Sequence, residues 1–258
     1  YEWDSSPDNG FMPSSLISLS STTLQVQTQL LDYGNTTGPG TATHHLVEFR
    51  NPVSGALVFG AGTVYWSFGL SDQHDVVGGA LPPVDPNVQQ AMVNEFAAMG
   101  VQPQTLQASL VLAQAAVAHP APTSTITSLS TLTPVEGHSV TVTGTAHSTG
   151  DVIGGVMVSV DGGATWHPAS TGVGASSVNW SYTFNAGAPG TYTVQSQAID
   201  SSVNVETPSQ GVSFTVQRTA NLTLFSPSAT PDVLNASDAP VEVGMKFVTA
   251  TPGEITGV

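Results

Sequence analysis

Alternation of apolar and polar residues is clearest between Ile153 and Trp166, IGGVMVSVDGGATW, in the middle of the chain. Valines at positions 156, 158 and 160 alternate with Met157 and Ser159, a period of two that is typical of a half-buried strand. The following DGG tripeptide at 161–163 tolerates the positive φ of a hairpin turn. The pattern predicts two strands folded over a tight turn, at the centre of an all-β module.

Similar short alternating segments recur about every ten residues around this hairpin, which is typical of a β-sandwich. In addition to 154–160, strands are predicted at 125–129, 139–146, 165–169, 178–184, 191–199 and 212–216. Trp180, Tyr182 and Phe184 alternate with Ser181 and Thr183, so we expect the three aromatic residues to lie on one face, in the core.

The pattern before residue 118 is different. Short strands are predicted within 16–30, another at 42–49, and a nearly continuous apolar strand at 56–68, of the kind covered on both faces in an α/β sheet. Gly60 and Gly62 inside that run indicate close backbone approach or a bulge. Asp85 and Pro86 predict the start of a helix that ends near residue 99, with an apolar face formed by Val88, Met92, Phe96 and Met99. A second, weaker helix is predicted at 104–118.

These changes in pattern predict three units. Residues 1–118 form the first, and the proline-containing residues 119–123 form a linker. Residues 124–217 form the sandwich, residues 218–223 a second linker, and residues 224–258, with a strand near 241–248, the start of a further β-rich domain. We expect the chain to be an internal piece of a longer polypeptide.

Composition narrows the function classes. The 258 residues include 18 acidic and three basic ones, giving a net charge of −15, which disfavours binding to nucleic acid or anionic membrane surfaces. There is no cysteine, so thiolate metal sites and Cys-His catalysis are excluded. No apolar run approaches the roughly 18 residues of a membrane span. The polar, acidic texture is common in exported bacterial proteins, so we expect a secreted or cell-surface location.

Motifs in the first unit support a family resemblance. They are YEWD at 1–4, LDYG at 31–34, GALVFGAGTVYWS at 55–67, GL at 69–70 and MGV at 99–101. Residues 1–114 thereby resemble the C-terminal part of the large-subunit-like domain named after N,N-dimethylformamidase, as found in long bacterial surface proteins. The resemblance implies part of a flavodoxin-type α/β layer related to glutamine amidotransferases, with about half of the layer upstream of Tyr1. The tyrosine and glutamate iron ligands of those enzymes have no matched positions here.

Two further resemblances cover the rest of the chain. VSVDGGATW at 158–166 and NVETP at 204–208 resemble the immunoglobulin-like domain at the C-terminus of sulfite-oxidase-type molybdenum enzymes and in bacterial surface arrays. LFSPS at 224–228 and GEITG at 253–257 resemble the start of a β-rich domain of unknown function that accompanies the other two. The expected fold is a partial α/β layer, then an immunoglobulin-like sandwich, then an incomplete β domain.

Candidate metal ligands lie in the first unit. His44 and His45 are followed by Glu48, and Asp72, His74 and Asp75 come after the next strand. Because neighbouring strand residues point to opposite faces, only one of the two histidines can join an ion, which leaves His44, Asp72, His74 and Asp75. Calcium or a transition metal is the candidate ion, and the alternative is an ordinary polar surface. No cofactor is required by the sequence.

Trp166 and His167, just after the predicted hairpin, are the candidates for exposed glycan contact. With no complete catalytic constellation in the sequence, the expected function is a structural, adhesive or glycan-contacting part of a surface protein. Its expected partners are other domains of the same polypeptide, polysaccharide or identical subunits. One alternative is the supporting part of a hydrolase acting on amide or glycosidic bonds. Another is a subunit of a self-assembling layer or filament that pairs through exposed edge strands of immunoglobulin-like modules.

Overall fold

A computed structural model describes residues 3–73, 83–114 and 119–218, which belong to one compact unit that is 45% strand and 10% helix. The first elements are β1 (Ile17–Leu31), β2 (Thr36–Arg50), β3 (Leu57–Gly60), α1 (Trp66–Leu70) and α2 (Pro86–Ala98). They are followed by β4 (Thr123–Leu129), β5 (Ser139–His147), β6 (Ile153–Ser159), β7 (His167–Pro168), β8 (Ser170–Thr171), β9 (Ser177–Asn185), β10 (Gly190–Asp200) and β11 (Val212–Val216). Neither helix in these ranges is long and apolar enough to cross a membrane. The further β domain predicted at 224–258 lies outside the described residues.

Strands β4 to β11 form two four-stranded antiparallel sheets, ordered β11-β10-β6-β7 and β4-β5-β9-β8. The predicted strands of the second half coincide with these to within about two residues, except that 165–169 is divided between β7 and β8. The two sheets enclose one hydrophobic core, so this part of the chain is a β-sandwich. Its core residues come from alternate positions, as the period of two predicts: Val140, Val142, Val156, Val158, Trp180, Val194, Phe214 and Val216 are among them.

The aromatic residues of β9 occupy this core as expected. Trp180 is 2% exposed, and its indole Nε1 donates a hydrogen bond to the Thr145 carbonyl over 3.0 Å. Tyr182 and Phe184 are partly buried against the same cluster, with their rings stacked at a centroid distance of 6.1 Å. Trp180 is therefore a core residue and offers no exposed platform for stacking.

The hairpin over 153–166 differs from its prediction in two ways. Strand β6 ends at Ser159, and β7 begins only at His167, so seven residues separate them where a tight turn at 161–163 was predicted. Met157 and Ser159, predicted on the solvent face, are 1% and 0% exposed. Strand β6 is therefore buried on both faces.

The second face of β6 is covered by the first part of the chain. Ile17, at the start of β1, is 2% exposed and forms a second hydrophobic cluster with Met157, Ile199 and Val203. Leu57, Trp166 and Val205 pack around this cluster. The sandwich and the N-terminal sheet thus share buried apolar surface.

The N-terminal sheet is three-stranded and antiparallel, in the order β1-β2-β3. Residues 16–30, predicted as several short strands, lie mostly in the single 15-residue strand β1, which pairs with β2 along almost its whole length. Beyond Ile17 nearly every residue of β1 is exposed, so β1 and β2 form a two-stranded arm. The arm reverses at Asp32 and Tyr33, which both have positive φ, 49° and 54°.

The apolar run at 56–68 does not form one strand. Strand β3 ends at Gly60, and the chain turns at Gly62, whose φ is +64°. A Cβ on Gly62 would come within 2.6 Å of the His45 carbonyl oxygen, so the turn requires glycine, as the predicted close approach implied. The run then enters α1. The strand pairings described in residues 1–118 are antiparallel and do not confirm the expected α/β layer, which stays a prediction.

Helix α2 begins as predicted. The Asp85 carboxylate accepts a hydrogen bond from the Asn87 backbone N–H over 2.8 Å, and Pro86 occupies the first turn. Its buried face was predicted wrongly, because Gln89, Val93 and Ala97 are buried, whereas Phe96 and Met99 are 46% and 44% exposed. No helix forms at 104–114 of the predicted second helix, and residues 115–118 lie outside the described ranges.

Candidate functional site

A small cleft lies where three parts of the fold meet: strand β2, helix α2 and the residues directly after β10. Strand β2 contributes Glu48 and Arg50, the helix contributes Asn94, Glu95 and Ala98, and the sandwich contributes Ser201 and Ser202. Its volume is about 190 Å³. The cleft therefore joins the N-terminal part of the chain to a loop of the sandwich.

Strand pairing explains how Glu48 comes to be buried here. Glu48 lies directly opposite Ile17 in the antiparallel ladder, and such paired residues project from the same face of a sheet. Ile17 faces the sandwich, so the Glu48 side chain is also turned inward and is only 6% exposed. Within the described part of the chain, its carboxyl group accepts no hydrogen bond. One carboxylate oxygen of Glu95, Oε2, is buried and has no hydrogen-bond partner in the described ranges.

The pKa of both carboxyl groups rises above the usual value for glutamate. Burial is the main cause of the raised pKa of Glu48, the nearby Glu95 charge adds to it, Arg50 acts against it, and the result is about 7. Burial also raises the pKa of Glu95. Arg50 forms no direct ion pair with either carboxylate, since the ion pairs within 4.0 Å among the described residues all involve histidine. Arg50 Nη1 instead donates to the Gly55 carbonyl over 3.0 Å.

The size of the cleft limits what it can hold. Its volume equals that of roughly six water molecules, at about 30 Å³ each. Pockets for drug-sized molecules start at roughly 300 Å³. A single ion with several waters fits the cleft, whereas a drug-sized molecule does not.

A second group of polar residues, His119, Asp151 and Asp200, has the spacing of metal ligands. The ring nitrogens of His119 lie 3.6 Å from Oδ2 of Asp151 on one side and 3.6 Å from Oδ2 of Asp200 on the other. His119 comes from the predicted linker, Asp151 precedes β6, and Asp200 ends β10. The group ties the linker to two loops of the sandwich.

The oxygens of this group are already occupied by protein donors. Asp200, fully buried, accepts hydrogen bonds from the backbone N–H groups of Ser202 and Asn204 and from the Asn204 amide. Burial would raise the pKa of Asp151, but hydrogen bonds from Ser201, Val152 and Ser202, together with His119, outweigh it and leave the pKa below its usual value. Such saturation favours a structural role over metal binding. Ser201 and Ser202 also line the cleft, so the two sites adjoin.

The predicted metal ligands are placed differently. His44 Nε2 lies 2.8 Å from the Ala61 carbonyl oxygen, and its ring packs on Trp3 at 5.9 Å. Asp72 is exposed and accepts from the Gln73 amide. Among the described residues, neither belongs to a group with metal-ligand spacing. His74 and Asp75 lie outside the described residues, so the four-residue metal site stays a prediction.

The predicted glycan contacts take part in internal packing. Trp166 is partly buried against the cluster around Ile17. His167 Nδ1 lies 2.7 Å from Asp8 Oδ1, and its ring stacks on Tyr182 at 5.7 Å. These contacts leave both side chains partly exposed, and their role in glycan contact stays a prediction.

Asp161 holds the loop between β6 and β7 in place of the predicted turn. Its carboxylate accepts hydrogen bonds from Ser159 Oγ, the backbone N–H groups of Ala164 and Thr165, and Thr165 Oγ1, at 2.7 to 3.0 Å. Burial would raise the pKa of Asp161, but these hydrogen bonds outweigh it and lower the pKa to about 2. The carboxylate is therefore a structural group of the loop.

Sequence reasoning noticed Glu48 only as a neighbour of the histidines and missed Glu95. The available signal was an acidic residue between the apolar residues Val47 and Phe49. Glu95 lies on a helix 47 positions later and lines the same cleft as Glu48. Tertiary packing brings the two acids together, and strand alternation gives no information about it.

Comparison with known proteins gives only weak matches. No protein-family model matches the chain, and no curated protein matches it. Among solved structures, the sulfane dehydrogenase SoxCD from Paracoccus pantotrophus is 26% identical over 33% of this chain and 23% of that chain, with a TM-score of 0.29. The PKD domain of an M14-like peptidase from a Thermoplasmatales archaeon is 18% identical over 37% of this chain and 92% of that domain, also with a TM-score of 0.29.

Both similarities cover little of this chain, and TM-scores of 0.29 are too low to assign a fold family. The class defined by the fold itself is therefore the broad one, a mostly β protein that contains a β-sandwich. At these TM-scores, the activities of the two neighbours carry no argument about this chain.

Proposed function

We propose that this chain is a structural module of a secreted or cell-surface protein, in which the N-terminal sheet and the sandwich act together as one stiff spacer between further domains. The observation that carries the proposal is the buried junction at Ile17. A junction of two domains that move independently is expected to be small and polar. Here an isoleucine of the N-terminal sheet is buried among Met157, Ile199 and Val203 of the sandwich.

Further contacts across the junction support the same function. The Asp8 carboxylate meets His167 at 2.7 Å, and a Cβ on Gly154 would lie 3.2 Å from the Ile17 Cδ1 methyl group, so the two parts fit closely. The excess of 18 acidic over three basic residues is also in keeping with an exported protein.

Single-molecule force spectroscopy tests the spacer function. The complete chain would be stretched between two marker domains of known unfolding length. One step that releases roughly 700 Å of chain is expected, because the described unit from 3 to 218 extends to about 3.5 Å per residue. Separate steps for residues 3–114 and for the sandwich, with the first part opening at negligible force, would contradict a common mechanical unit.

Self-assembly is a second candidate function, and the β1–β2 arm favours it. Strand β1 is an edge strand over 15 residues, so its outer backbone groups have no partner strand in the described residues. Exposed edges are usually protected by lysine, proline or short length. Residues 17–47 contain one charged residue, Asp32, and β1 itself contains neither lysine nor proline. The edges of the sandwich are shorter, because its edge strands β4, β7, β8 and β11 have seven, two, two and five residues.

The partner best suited to this edge is β1 of a second copy, in antiparallel pairing. Two chains of charge −15 repel elsewhere, whereas the arm is almost neutral and exposes Leu24 and Leu30. Sedimentation velocity over a range of concentrations is expected to show association that Leu24→Lys prevents. Val173→Lys, at an exposed apolar position of the sandwich, is the matched control. A monomer at all concentrations, or equal loss of association in both variants, would exclude the arm.

A further inference from the structure

The cleft formed by Glu48, Arg50, Asn94, Glu95, Ala98, Ser201 and Ser202 contains two acidic groups and one cation, Arg50, which donates to the Gly55 carbonyl and, among the described residues, forms no ion pair with either acid. Glu48 is more than nine-tenths buried and has no hydrogen-bond donor within the described ranges, and Oε2 of Glu95 is buried and unpartnered. A buried carboxylate without a partner is costly, so it either takes up a proton or binds a cation. Asp151 and Asp200 differ from these two glutamates, because hydrogen bonds from the protein already satisfy their carboxylates.

The donor atoms that line the cleft define the kind of cation. They are carboxylate, hydroxyl and amide oxygens; Arg50 also lines the cleft but has no atom that binds a cation, and no histidine is among the described lining residues. The chain has no thiolate to offer, since it lacks cysteine. Oxygen donors suit hard cations such as Ca²⁺ and Mg²⁺ and disfavour zinc and copper.

The arrangement of the donors favours the larger ion. They come from a strand, a helix and a loop, with no regular spacing, and Ca²⁺ accepts six to eight oxygens in flexible geometry. Mg²⁺ demands a near-ideal octahedron. The volume of about 190 Å³ leaves room for the waters that complete the ligand shell.

We propose that the Glu48–Glu95 cleft is a Ca²⁺ site that links strand β2 and helix α2 to the Ser201–Ser202 loop of the sandwich. Two carboxylates are a small charge complement, so the dissociation constant is expected in the range of about 10⁻⁴ to 10⁻³ M that is typical of extracellular calcium modules. The ion would lie beside the junction at Ile17 and would strengthen it. The inference does not depend on the spacer function, which the loss of calcium binding would leave intact.

Protons compete with calcium for the carboxylates, so the calcium affinity of the site should depend on pH. The pKa of Glu48 is about 7, so Glu48 must lose its proton before it can bind the ion over much of the neutral range. Calcium affinity should therefore increase roughly tenfold between pH 6 and pH 8. A cation attracted only by surface acids with ordinary pKa values would show no such increase.

Isothermal titration calorimetry with CaCl₂ on the complete, metal-free chain at pH 8 tests the proposal. We expect one saturable site, weaker binding of MgCl₂, and a rise of a few degrees in the melting temperature in 10 mM CaCl₂. Glu48→Gln and Glu95→Gln each keep the shape of the side chain and should lower the affinity at least tenfold. The matched control is Glu136→Gln, an exposed acid of the sandwich, which should bind as the parent chain does.

Three results would overturn the proposal: no saturable calcium binding, the same affinity in Glu48→Gln and Glu95→Gln as in the parent, or an equal loss in Glu136→Gln. Tighter binding of Mg²⁺ than of Ca²⁺ would overturn the choice of ion. Circular dichroism of each variant shows whether it is folded, and removal of one of two repelling carboxylates should not unfold the chain.

Discussion

At the scale of single residues, the environment decides what an acidic side chain does. Asp161 and Glu48 are both acids on or beside strands, yet their pKa values move in opposite directions, to about 2 and about 7. Asp161 receives four hydrogen bonds within its loop, whereas Glu48 is enclosed beside Ile17 with no donor among the described residues. The first group is stable as an anion, and the second is stable when protonated or bound to a cation.

Glu48 should make the stability of the chain depend on pH. Its pKa is raised from 4.5 to about 7 in the folded state, so its contribution is complete below about pH 4.5 and is lost as the pH rises through 7. In metal-free buffer, Glu48→Gln should match the parent near pH 5 and be more stable at pH 8, by on the order of 2 kcal/mol. Urea denaturation at both pH values measures this difference. A constant difference across the range would contradict the raised pKa of Glu48.

Asp161 should be needed for the loop between β6 and β7. Asp161→Ala removes the acceptor for all four hydrogen bonds and is expected to cost about 1–2 kcal/mol of stability, measured by chemical denaturation. The Ala164 and Thr165 amides should also exchange faster with solvent. Asp161→Asn keeps one acceptor oxygen and should have a smaller effect. Equal stability of the alanine variant and the parent would show that the loop holds without this carboxylate.

At the scale of elements, a large side chain that lies over a neighbouring strand limits which residues that strand can contain. Trp180 on β9 lies directly opposite Gly144 on β5, and the indole covers the glycine. A Cβ at position 144 would overlap both the Trp180 ring and the Thr125 carbonyl oxygen on β4. The missing side chain thus lets three strands and one tryptophan pack together.

Gly144→Ala should consequently destabilise the sandwich by about 1–3 kcal/mol, the usual cost of overpacking. The melting temperature and near-ultraviolet circular dichroism, which reports the packing of Trp180, measure the effect. Gly172→Ala is the matched control, because its nearest neighbour would be a Val178 methyl group at an ordinary 3.8 Å. If both variants melt like the parent, the strands can separate enough to accept a methyl group.

At the scale of the whole molecule, the first part of the chain behaves as a cover for the sandwich. Ile17 enters the cluster of Met157, Ile199 and Val203. The same face of β2 carries Glu48 into the cleft. One docking arrangement therefore produces both the apolar junction and the acidic site next to it.

Ile17→Ala tests this coupling. It should lower the stability of the complete chain by roughly 2–4 kcal/mol through loss of buried methyl groups. A single cooperative transition at lower temperature is expected in calorimetry. Leu19→Ala, at a 42% exposed position of the same strand, should change little. An early, separate transition of the N-terminal part with an unchanged sandwich would contradict the coupling.

The strands of the sandwich were predictable because the alternation of apolar and polar residues follows the alternating side-chain directions of a strand. A strand with one apolar and one polar face must display a period of two, and β5, β9 and β11 do so. The start of α2 was predictable for a similar reason, because Asp85 and Pro86 act within a single turn. Each of these signals depends on residues that are close in sequence.

What the sequence by itself determined was thus the β character of the second half, its strand positions and the start of one helix. Tertiary structure alone decided that Met157 is buried, because Ile17, from a separate part of the chain, packs against it. It also decided that β3 stops at Gly60 and that Glu48 meets Glu95. The physical reason is that burial, desolvation and charge pairing depend on neighbours in space, and local periodicity reports only the geometry of the chain's own backbone.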